Sequence, residues 1–151
     1  MNIINESGRS MVEMLGVLCI VGVLTIGAVS VVQFGMRSYQ ATNLYSRIEN
    51  AASDVSDRYS WRRTYPDKLT QDLATTLGGT YDNSNGQIKV ETPLGTMVVA
   101  AKDADGFTIT VNGVPKSPCQ QLQSMKWVNV SWRATNSCTG DTNNITFDSQ
   151  I

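Results

Sequence analysis

The chain of 151 residues is 41% hydrophobic and 17% charged, which supplies one globular core and leaves little for a second. Its formal charge of -1, one unit of which comes from Glu6 in the first eight residues, gives no support to a general polyanion-binding role. Histidine is absent, which removes the commonest general base, the commonest zinc ligand and every Ser/His or Cys/His nucleophile pair, so a non-enzyme is expected.

The first element in chain order is apolar. From Met11 to Phe34 the sequence runs for about 24 residues, or about 36 Å as a helix, which is enough to cross a bilayer. A secretory signal peptide would have a shorter apolar core closed by a small-residue cleavage site, whereas this run passes directly into an amphipathic pattern, so the segment is expected to be retained. Glu13 interrupts it. A carboxylate carried to mid-membrane depth costs on the order of 2.5 to 3.5 kcal/mol, so this one must either reach the interface, pair with Arg9 one helical turn earlier, or find a cation elsewhere.

The residues around it point to the third choice. Gly8-Arg9-Ser10-Met11-Val12-Glu13-Met14-Leu15, followed directly by Gly16-Val17-Leu18-Cys19-Ile20-Val21-Gly22-Val23-Leu24, resembles the cleavage and methylation signature of the type IV pilin (prepilin) family. The resemblance implies that a prepilin peptidase cuts between Gly8 and Arg9, that the new terminus at Arg9 is N-methylated, and that Glu13 pairs with the N-terminal amine of a neighbouring subunit. An amine and a carboxylate among apolar helices are tolerable only as a pair. Two features depart from the family pattern: Met1 to Gly8 carries no Lys or Arg, and the first residue after the cut is Arg where Phe or Met is more frequent. Arg9 itself can supply the positive charge that keeps the N-terminus cytoplasmic.

The domain reading that follows is a leader at 1–8, a transmembrane and filament-core helix at 9–35, and a periplasmic or extracellular head at 36–151. By resemblance the fold is α+β, a long helix packed on an antiparallel sheet with a disulfide-closed C-terminal loop. The implied partners are copies of the same chain in a helical filament, the prepilin peptidase, an inner-membrane assembly platform, and membrane lipid before assembly. The implied location is the inner membrane for the precursor and the extracellular pilus after assembly. A pseudopilin of a secretion apparatus shares the same N-terminal chemistry, and a signal-anchored binding module that never assembles is a third reading. Gly16, Gly22, Gly27, Ser30 and Gly35 add small residues that allow close helix approach while lowering helix propensity, with Gly22 to Ser30 expected to be the weak stretch.

Beyond Gly35 the apolar period stays helical: Leu44, Ile48, Ala51, Ala52, Val55 and Tyr59 form one stripe, with Arg47, Glu49, Asn50, Asp54 and Asp57 off it. Pro66 and the cluster Trp61 to Tyr65 mark the end of this helix. Leu69, Leu73 and Leu77 suggest a short helix stopped by Gly78-Gly79. Strands are then predicted at 87–92, 96–101 and 107–111, with turns at Pro93-Leu94-Gly95 and Asp103 to Gly106. Ser117-Pro118-Cys119-Gln120 reads as a capped helix start with Ser117 as the cap, running to about Met125. Strands at 127–132 and 144–147 complete the expectation.

Cys119 and Cys138 lie in the polar C-terminal part and are read as a disulfide formed in an oxidising compartment, whereas Cys19 is an inert packing residue; free thiols are the alternative. Two cysteines without neighbouring Cys or His supply only half a tetrahedral metal site. Arg58 to Tyr65 interleaves cations with aromatics as a single-strand nucleic-acid binder does, but a solvated loop with aromatics packed on the head is the stronger reading. Asp103 to Gly106 is a turn, because Val114 stands where a calcium loop needs its bidentate glutamate. Neither a metal nor a cofactor is implied.

Overall fold

A computed structural model describes residues 6–62, 64–102 and 106–150, with side chains from residue 11 onward. The first helix, α1, runs from Glu6 to Tyr59. The chain divides within it into two units, residues Met1–Met36 and Arg37–Ile151. In the first unit the described residues are helical throughout, and Thr25 and Ser30 donate their hydroxyls to the carbonyls of Val21 and Ile26 at 2.7 and 3.0 Å. Both hydroxyls are therefore satisfied inside the helix itself, as an apolar surrounding requires.

The second unit, the head, packs the amphipathic part of α1 on a six-stranded antiparallel sheet of order β1-β2-β3-β4-β6-β5. Its strands are β1 (Thr80–Asp82), β2 (Gln87–Thr92), β3 (Gly95–Ala101), β4 (Phe107–Pro115), β5 (Val130–Trp132) and β6 (Thr142–Ser149). The whole predicted stripe from Leu44 to Tyr59 is buried, joined at its start by Ala41. It meets the inward-pointing residues of the sheet: Ile88 and Val90 on β2, Met97 and Val99 on β3, Phe107, Ile109 and Val111 on β4, and Ile145 and Phe147 on β6. Period 3.6 on the helix and period 2 on the strands thus converge on one core.

Local chemistry explains most boundaries. The short helix α2 (Gln71–Thr76) ends as predicted at the glycines: Gly78 is at φ +66°, its N–H reaches the Thr75 carbonyl at 3.2 Å, and the Gly79 N–H reaches that of Ala74 at 2.9 Å. This is the paired-bond helix stop that a left-handed glycine makes possible. Leu69, expected inside this helix, lies before it because its N–H is taken by the Gly86 carbonyl at 3.1 Å. The β2–β3 hairpin turns on Pro93-Leu94, and Gly95 sits at φ +140° where a Cβ would come within 1.9 Å of the Asn112 carbonyl oxygen. Only glycine fits there.

Three expected boundaries are corrected, and one strand is new. The strand predicted at 107–111 continues to Pro115, because a register shift between Val111 and Val114 inserts an extra residue and keeps both valines buried. The helix α3 (Lys116–Ser124) follows directly and begins two residues earlier than expected, so Pro115 and not Ser117 stands at the cap, and no side chain caps the helix. Pro118 is tolerated because the first-turn amides have no partner within the helix. Strand β1 was not anticipated; it pairs with β2 across Thr80↔Lys89 and Asp82↔Gln87. The strand predicted at 127–132 shortens to β5, because residues 128 and 129 are bound elsewhere, to Glu49. Of the turn predicted at Asp103 to Gly106, residues 103–105 lie outside the described residues.

Candidate functional site

The apolar stretch of α1 presents its large side chains to the outside on every face. Met11, Leu15, Ile20, Leu24, Val31 and Met36 are among a series each more than half exposed. A helix that is hydrophobic all round belongs in a core, a membrane or an assembly, and this one is long and apolar enough to span a bilayer. A Cβ added at Gly16, Gly22, Gly27 or Gly35 would meet nothing within 4 Å, so the small positions are vacant notches on this surface.

Glu13 is the single charged residue between Met11 and Met36. Its side chain is exposed, and no ion pair joins it to another side chain among the described residues. Gly8 and Arg9 lie within the helical backbone near the start of α1, but their side-chain surroundings, and with them the expected Arg9–Glu13 proximity, fall outside the described residues. Residues 1–5 of the expected leader do so too. Along the helix Arg9 and Glu13 are one turn apart, about 6 Å in rise. The site thus amounts to one carboxylate at the N-terminal end of an uncovered apolar rod.

In the head, Cys119 on α3 is bonded to Cys138 in the segment between β5 and β6, with Cα atoms 5.6 Å apart. Cys19 is free and exposed on the apolar helix. The cation–aromatic stretch separates into two parts. Tyr59 is buried and stacks near Tyr65, which in turn lies 5.9 Å from Phe107, whereas Trp61 is 74% exposed with the Arg62 guanidinium 4.9 Å over its ring. Arg63 lies outside the described residues.

Two carboxylates that hold the head together escaped the sequence reading. Glu49 accepts from the Val128 and Asn129 backbone N–H groups at 2.8 and 3.1 Å and from the Asn129 side-chain amide at 2.8 Å, tying the approach to β5 onto α1. Beside it the Tyr45 hydroxyl donates to the Lys126 carbonyl, and an aromatic row of Tyr45, Trp127, Phe147 and Trp132 follows at centroid spacings of 4.8, 4.4 and 5.4 Å. Asp148 on β6 accepts from Arg133 and Lys102, and the Arg133 guanidinium holds its carboxyl well below the usual range, at about 2, against the opposing effect of burial. Asp82 is lowered in the same direction by its hydrogen bond from Lys89. Among the described residues no three His, Cys, Asp or Glu side chains gather where they could hold a metal ion.

Comparison of the chain with protein-family models, with curated proteins and with solved structures found no match.

Proposed function

We propose that this chain is the precursor of a pilin-class structural subunit. It is cut after Gly8, anchored in the membrane by α1, and assembled through that helix into a filament that displays the disulfide-closed head. The observation that carries the reading is the uncovered apolar length of α1 with a single carboxylate, Glu13, near its start. The layout of a long N-terminal apolar helix, an antiparallel sheet and a C-terminal disulfide supports it.

The physics of assembly follows from the helix. Lipid covers the apolar surface first; in the filament, copies of the same helix cover it, each buried Å² of apolar surface contributing about 25 cal/mol relative to water. Repetition of one heterologous contact gives an open-ended fibre. Glu13 sets the axial register, because only a stagger that brings the N-terminal amine of an adjoining subunit to its carboxylate avoids two unpaired buried charges.

The test is Glu13→Val beside Glu13→Ala in the native host. Removing one partner strands the amine, which costs about 3 to 5 kcal/mol per subunit contact and is enough to abolish assembly. Both variants are expected to remain membrane-resident with an intact head while filaments disappear from the cell surface. Filaments at wild-type abundance from both variants would overturn the role of Glu13. A chain that stays uncleaved and monomeric would favour the anchored module instead.

A further inference from the structure

At the start of the head, Arg37 and Gln40 on α1 line a groove of about 500 Å³ whose other walls include Leu94, Lys116, Ser117 and Asp141. Arg37 and Lys116 are exposed, and neither forms an ion pair among the described residues. Two cations and one carboxylate leave the groove with one net positive charge. Arg37 is also the first charged residue after Glu13, directly following the apolar run that ends at Met36. With that run in a bilayer, the first cation beyond the hydrocarbon lies at the level of the lipid headgroups.

We propose that the groove binds the headgroup of an anionic phospholipid, with the phosphodiester held by Arg37 and Lys116. The proposal rests on the membrane-anchored reading of α1. Charge and donor type select the ligand. A phosphodiester carries one negative charge, matching the groove, whereas doubly charged free phosphate would set a second negative charge against Asp141. A headgroup bearing hydroxyls, such as glycerol, offers donors that the Asp141 carboxylate and the Gln40 carbonyl can accept. Binding would hold the head against the membrane surface until the subunit leaves the bilayer.

The experiment uses the full chain in nanodiscs of equimolar phosphatidylglycerol and phosphatidylcholine, extracted gently and read by native mass spectrometry for retained lipid. Each basic residue near an anionic surface is worth about 1 kcal/mol, or about fivefold. The wild type is expected to retain phosphatidylglycerol over phosphatidylcholine by at least about fivefold, and R37Q/K116Q to fall to parity. The charge-matched control R62Q/K126Q, which alters exposed cations outside the groove, is expected to keep the wild-type ratio. Parity in the wild type, or equal losses in the two double variants, overturns the site. A second arm adds inorganic phosphate to the chain in phosphatidylcholine discs: phosphorus resonance broadening that depends on Arg37 and Lys116, without any lipid preference, overturns the lipid assignment in favour of a soluble anion. A chain that does not co-purify with the discs overturns the anchoring itself, an outcome distinct from a failure of the groove.

Discussion

Replacing Glu49 tests whether the C-terminal part of the head is fastened to α1 by one carboxylate. Its three hydrogen bonds, at 2.8, 3.1 and 2.8 Å, come from donors 79 and 80 residues away in sequence. Hydrogen bonds to a charged group contribute about 1.5 to 3 kcal/mol each in protected settings, and the half-exposed position of Glu49 puts these at or below the lower figure. Water can also reach the donors once the side chain is cut back. Glu49→Ala is therefore expected to cost about 3 kcal/mol, and Glu49→Gln, which keeps one acceptor oxygen without the charge, about half of that. The assay is urea unfolding of the full chain in mild non-ionic detergent, followed by tryptophan fluorescence, since Trp127 is adjacent in sequence to Val128 and stacks 4.8 Å from Tyr45. Adding Asn129→Ala to Glu49→Ala should cost less than the sum of the two single changes, because they share a bond. Stability within about 0.5 kcal/mol of wild type for Glu49→Ala, or strict additivity of the pair, would refute the fastening.

Opening the Cys119–Cys138 bridge, which closes a separation of 19 residues, should lower head stability by about 3 kcal/mol. Thermal melts of the Cys119→Ser/Cys138→Ser variant and of reduced wild type should agree, and a melt unchanged by reductant contradicts the estimate. Asp148 gives a pH dependence of defined sign. Its folded pKa, about 2, lies below the unfolded value near 4, so its contribution is fully present above about pH 4 and is lost as pH falls toward about 2. Melting temperatures of wild type and Asp148→Asn should therefore converge through that window; parallel curves would show that the Arg133 and Lys102 bonds do not stabilise the fold.

What could be read from the sequence was what is encoded locally. The stripe from Leu44 to Tyr59 repeats at helical spacing, so that helix and its buried face were legible, and the strand at Gln87 to Thr92 was legible as an element, its alternation of buried and open positions emerging with the fold. The glycine pair after α2 was legible because a left-handed helix stop needs glycine. Elements set by distant contacts were not. Strand β1 has only three residues and exists because β2 pairs with it. The end of β4 was misplaced because its bulge, invisible in the local pattern, carries the strand on to Pro115, and the Ser117 cap failed because no side chain caps α3. Trp127, Val128 and Val130 are strand-forming residues, yet Glu49 draws the Val128 and Asn129 amides away from the sheet. The site divides in the same way: Glu13 announces itself as a charge in an apolar run, whereas the groove cations Arg37 and Lys116 sit 79 positions apart and meet only through the fold.

The proposed cut between Gly8 and Arg9 gives the filament role its most direct test. Filaments sheared from the native host, digested and read by mass spectrometry, should yield an N-terminal peptide that begins at a methylated Arg9 and retains Glu13. A terminal peptide that still carries Met1 through Gly8, recovered from intact filaments, would contradict it, because no free amine would then lie one turn from the carboxylate to pair across subunits.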